Sequence, residues 1–100
     1  MDARGMATAT YELVPAVRYR VIGDRAVIVH QERGEVLGLD GTGTEVLTLA
    51  LGGRPPAAIA EVLEARYDAP GETIRRDVLR FLAELVEAGV LRRLEGGGDA

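Results

Sequence analysis

The sequence contains no cysteine, no tryptophan, one histidine and one phenylalanine. Without cysteine there is no disulfide framework and no thiolate to serve as nucleophile or metal ligand. The same absence fits a reducing compartment. With His30 as the sole histidine, neither a histidine-based metal site nor a Ser-His-Asp triad can be assembled. No apolar run approaches the ~20 residues of a membrane-spanning helix. The opening MDARGMATAT also lacks the apolar core of a secretory signal. A cytoplasmic location with no membrane partner is expected. Positive charge is outnumbered, 12 basic residues against 16 acidic ones. The net charge is −4, which opposes the basic surface that non-specific nucleic-acid binding needs.

What is present suffices for one small domain: 100 residues with ordinary apolar content. The organising stretch is EVLGLDGTGTEVLTLAL, residues 35–51. Residues 35–39 read as a short strand. The chain breaks at Asp40-Gly41-Thr42-Gly43 and resumes as a helix carrying Val46, Leu47, Ala50 and Leu51 on one side. Thr42-x-x-Glu45 has the form of a capping box for that helix.

Upstream, Val17-Arg18-Tyr19-Arg20-Val21 alternates as a strand with one wet face, and Ala26 to His30 is a continuous apolar run suited to mid-sheet. Turns at Gly23-Asp24-Arg25 and 31–34 make the three strands an antiparallel meander with open edges. Downstream, Gly52-Gly53 ends the first helix, Pro55-Pro56 starts a second to about Tyr67, and a third spans residues 70–88. Residues 1–14 are expected to be disordered, 15–94 to form the domain and 95–100 a flexible tail. The fold class expected is α+β, a three-stranded antiparallel meander followed by three helices.

Residues that could carry chemistry are dispersed. Gly41-Thr42-Gly43 resembles part of a phosphate loop but lacks the following Gly-Lys pair. Glu61, Glu64, Glu84 and Glu87 fit solvated helix faces. Arg75, Arg76 and Arg80 alternate with Asp77 and Glu84 on the third helix, as mixed surface charge does. No catalytic constellation, cofactor site or metal site emerges. One feature is in surplus. Ile74, Val78, Phe81 and Leu85 form a stripe on the third helix, and Leu79, Leu82 and Val86 form a flanking one. So wide an arc either packs against two partners or leaves a groove half open.

These elements, in this order, resemble the family of pyrroloquinoline-quinone synthesis protein D. The residues that carry the resemblance begin with Leu39-Asp40-Gly41-Thr42-Gly43, where the family has Leu-Asn-x-Thr-Gly, and continue through Val46-Leu47…Leu51-Gly52-Gly53. Ile59-Ala60…Leu63…Tyr67 and Asp77-Val78…Phe81-Leu82…Leu85…Gly89-Val90-Leu91 complete them. Gly38 stands near the position where lasso-type members carry an aromatic, and Pro55-Pro56 replaces the usual Thr or Ser cap.

The resemblance implies a winged-helix-like fold without enzymatic activity. It implies binding of the leader of a ribosomally synthesised precursor peptide, as in lasso-peptide or related pathways. The leader is expected to add as a strand to the third strand and to lie against the third helix. Expected peptide-binding residues are Glu35, Val36, Leu37, Gly38 and Leu39 on the strand, with Arg75, Leu79, Leu82 and Val86 on the helix. Gly38 is expected to widen the groove floor. Expected partners are the leader and a tailoring enzyme such as a leader peptidase or radical SAM enzyme. The alternative reading is a winged-helix nucleic-acid-binding regulator, against which the acidic balance counts.

Overall fold

The computed structural model describes residues 9–94. Its elements are β1 (Thr10–Leu13), β2 (Val17–Ile22), β3 (Arg25–His30), β4 (Glu35–Leu39), α1 (Gly41–Leu51), α2 (Pro56–Glu64), α3 (Gly71–Glu87) and β5 (Leu91–Leu94). The expected meander is present as an antiparallel sheet in the order β2-β3-β4, and three helices follow it. The class is α+β.

A second sheet was not anticipated. β1 pairs antiparallel with β5, from Thr10 opposite Leu94 to Leu13 opposite Leu91, and Glu12 forms an ion pair with Arg92. The ordered domain therefore starts earlier than residue 15, with Ala9 and Tyr11 buried. The remaining expectations for the two ends, at residues 1–8 and 95–100, lie outside the described residues.

Burial pushes the Tyr11 phenol above its usual range, and the charge of Arg93 opposite only partly counters this. An unfolded tyrosine ionises near pH ~10, while the folded chain keeps the proton to higher pH. This contribution to stability is therefore complete below about pH 10 and is lost as pH rises through the folded value. Thermal melts from about pH 9 to 11.5 should show a declining Tm, with a shallower decline in Tyr11→Phe.

Proline places the second and third helices as expected. Pro55 precedes α2 with Pro56 at its first position, and Pro70 precedes α3. α2 stops at Glu64, short of Tyr67, because the Arg66 and Tyr67 amides both donate to the Leu63 carbonyl. At the end of α3, Gly89 takes φ +79°. Its amide donates to Val86 and that of Val90 reaches back to Leu85, which closes the helix.

The cap of α1 differs from the expected box. The helix begins at Gly41, so Thr42 already lies inside it, and Asp40 Oδ1 accepts the Gly43 amide at 2.9 Å instead. Glu45 turns towards the end of α2, pairing with Arg66 and accepting from the Tyr67 hydroxyl at 3.4 Å.

The core lies between one face of the meander and the helices. Ala26, Ile28 and His30 are buried, whereas Val27 and Val29 are exposed. Ile28, Leu47, Ile59, Leu82 and Leu91 are the largest wholly buried side chains, at about 1.5–3 kcal/mol each. His30 has a structural use: its Nδ1 accepts the Arg33 amide at 3.3 Å across the β3–β4 turn.

Candidate functional site

Among the described residues β4 is an edge strand, so half of its backbone groups have no strand to bond there. The register decides which half. β2 and β3 are joined by the two-residue turn Gly23-Asp24, closed by the pair Ile22–Arg25, and the Gln31 amide donates to the Ala16 carbonyl. These two points fix Arg25, Val27 and Val29 as the β3 residues bonded to β2. Ala26, Ile28 and His30 then bond to their β4 partners Leu39, Leu37 and Glu35. Val36 and Gly38 are left, and both direct N–H and C=O outward.

The side chains of β4 divide by the same alternation. Leu37 and Leu39 face the helices and are partly buried against the core, whereas Val36 lies on the opposite face and is 66% exposed. Gly38 shares the outer face with Val36. The expectation that it widens the groove floor is thus corrected: its missing side chain leaves space on the far side of the sheet. A Cβ there would meet nothing within 4 Å. Gly38→Ala should raise stability by about 0.4–1 kcal/mol, because it restricts the unfolded chain without strain. A thermal melt reads this directly.

Beside the end of β4 runs a groove of about 540 Å³ between α1 and α3. Val46, Ile74, Val78 and Phe81 give it an apolar floor, and Asp40, Asp77, Arg80 and Glu84 stand around it. Gly43 makes room for the aromatic ring, since a Cβ there would come within 3.1 Å of Phe81. Arg80 pairs with Asp77 at 3.2 Å, so the rim is net acidic. From the β3–β4 turn, Arg33 donates to the Ala88 carbonyl at 2.8 Å and ties the hairpin to the end of α3.

The structure brings only some of the expected residues together. Glu35 to Leu39 form the edge, but none of the four expected α3 residues lines this groove. Leu82 is wholly buried in the core. Leu79 is half-buried and, with Arg75, lines a small hollow against Pro56 and Ala57. Arg75 itself pairs with Glu64 at 3.3 Å. Val86, seven residues beyond Leu79 and on its side of the helix, is 37% exposed. The flanking stripe is therefore divided: Leu82 belongs to the core, while Leu79 and Val86 lie outside it. No residue that lines this groove is among the expected binding residues, and Phe81 is the most prominent of those missed. Its signal is a lone phenylalanine at the centre of the apolar arc, with glycine at position 43 to admit it.

The sequence and fold are similar to those of known proteins. A PqqA binding protein of Rhodopseudomonas palustris (strain TIE-1) is 42% identical over 67 residues, which are 67% of this chain and 64% of that protein. The chain thus spans just under two thirds of the length of the curated relatives it matches. Among solved structures, TbiB1 in complex with the TbiA(beta) leader peptide superposes with a TM-score of 0.77 at 30% identity, over 81% of this chain and 94% of that one. The PqqD truncation of Methylobacterium extorquens PqqCD, a stand-alone recognition element for ribosomally synthesised, post-translationally modified peptides, gives 0.66 at 32% identity, over 83% and 88%. The family model for coenzyme PQQ synthesis protein D (PqqD) matches residues 25–91, from β3 through the edge strand and all three helices to the start of β5, and the chain belongs to that family.

Proposed function

We propose that this chain binds the leader of a ribosomally synthesised precursor peptide by strand addition at β4. It then presents the peptide to a tailoring enzyme, such as a leader peptidase or a radical SAM enzyme, in the cytoplasm. The observation that carries this reading is the outward pair Val36 and Gly38 on an edge strand that ends beside an apolar groove. Two backbone residues offer up to four hydrogen bonds without reading sequence, and the groove supplies selectivity. TbiB1, a structural relative, is itself complexed with a leader peptide.

In this reading the register gives the residues of the bound leader distinct roles. Leader residues bonded to Val36 and Gly38 place their side chains on the outer face, and the residue opposite Leu37 points towards α3. An antiparallel peptide enters from the Leu39 end, so its preceding residues pass over the groove between α1 and α3. Apolar side chains suit the floor there, and positive charge suits Asp40, Asp77 and Glu84. The chain performs no chemistry on the peptide in this reading, and its one histidine is engaged in the β3–β4 turn.

A fluorescein-labelled leader from the precursor encoded beside this chain should show saturable anisotropy, and its mass should be unchanged after prolonged incubation with the chain. Absence of binding, or turnover that scales with the chain and disappears in His30→Ala, would contradict the reading.

A further inference from the structure

The outer face of the meander is a second surface with its own chemistry. Ile22, Val27, Val29 and Val36 lie there at 60%, 36%, 37% and 66% exposure, whereas on the opposite face β3 and β4 pack against the core and only Tyr19 and Val21 of β2 leave large apolar side chains exposed. Arg20 and Arg25 flank these apolar residues, and neither takes part in an ion pair among the described residues. No carboxylate of β2, β3 or β4 points to this face. That is notable in a chain of net charge −4, which places its acids elsewhere.

We infer that this face docks the tailoring enzyme, through a protein surface that sets carboxylates around an apolar ridge. Guanidinium groups match carboxylates in a two-pronged geometry, and the exposed valines and isoleucine supply area that water would leave on binding. Position favours this occupant. The face is continuous with Val36, so a protein seated on it lies beside a peptide on the β4 edge. The inference rests on the strand-addition reading and extends it. Leader residues bonded to Val36 and Gly38 would place their side chains on this same face, beside the space left open at Gly38. The loaded chain therefore presents a larger docking surface than the empty one, and leader and enzyme bind with positive coupling.

The test uses the full chain, the labelled leader and the purified tailoring enzyme encoded beside this chain. The double variant Arg20→Glu/Arg25→Glu should bind leader as the wild type does, which also shows that it is folded. Its affinity for the enzyme should fall by about tenfold or more. Val27→Thr/Val29→Thr, which keeps side-chain size and strand preference, should weaken the enzyme alone in the same way. Wild-type affinity for the enzyme should rise severalfold when leader is saturating. Unchanged enzyme affinity in both double variants would overturn the inference while leaving leader binding intact. So would variants that lose only self-association, or only a gel shift with generic duplex DNA. If wild-type chain fails to bind leader at all, it is the strand-addition reading that falls.

Discussion

Leu37→Pro should melt far below the wild type, and Val36→Pro should stay folded and lose the leader. The two positions are adjacent, and both are apolar residues of β4. They differ in where the backbone points. The Leu37 amide bonds to Ile28 at the centre of the hairpin, so proline removes that donor and leaves a shielded acceptor without a partner. The cost is about 2–4 kcal/mol, a large share of the roughly 5–15 kcal/mol expected of a domain this size. At 4–8 °C per kcal/mol, Tm should fall by about 8–32 °C. The Val36 amide faces the open edge, where proline is tolerated. That amide is also one of the donors offered to the leader, so affinity should drop about tenfold or more. Melts and anisotropy on the two variants decide the matter. A folded Val36→Pro that binds at wild-type affinity would move the peptide off this edge.

A second adjacent pair separates core from groove on α3. Leu82 is wholly buried, and Leu82→Ala should cost about 2–5 kcal/mol in stability through the cavity it leaves. Phe81 is half-buried over Gly43 with part of its ring in the groove. Phe81→Ala should remain folded at a smaller cost and weaken the leader by tenfold or more, as loss of a central aromatic contact does. Chemical denaturation and anisotropy together distinguish the two fates. If Phe81→Ala binds normally, the groove between α1 and α3 takes no part in recognition.

Most of the fold was legible because its signals are local. Alternation marked β2, a continuous apolar run marked β3 and a short apolar stretch marked β4, while Pro55, Pro56 and Pro70 marked where two helices begin. What escaped reading depends on distant or sub-turn geometry. β1 and β5 are four residues each and meet across about 80 positions, too short for periodicity to reveal and too far apart for a turn signal to join. The α1 cap shifted from Thr42 to Asp40 because Thr, Asp and Gly are all competent near a helix start, and only the backbone path decides among them. The outward parity of β4 follows from a two-residue turn between β2 and β3 and a four-residue loop between β3 and β4. A one-residue change in either would exchange the roles of Val36 and Leu37. On α3 the apolar arc was visible, yet which edge of it stayed open depended on how α2 covers Leu79 and on glycine at position 43 opposite Phe81.

Residue-resolved amide exchange with and without leader tests strand addition at β4 most directly. In the free chain the Leu37 and Leu39 amides are held by β3, and those of Val36 and Gly38 face water. Saturating leader should slow exchange at Val36 and Gly38 by about tenfold or more, with little change at Leu37 and Leu39. Fast exchange persisting at Val36 and Gly38 while the leader is demonstrably bound would show that it docks elsewhere.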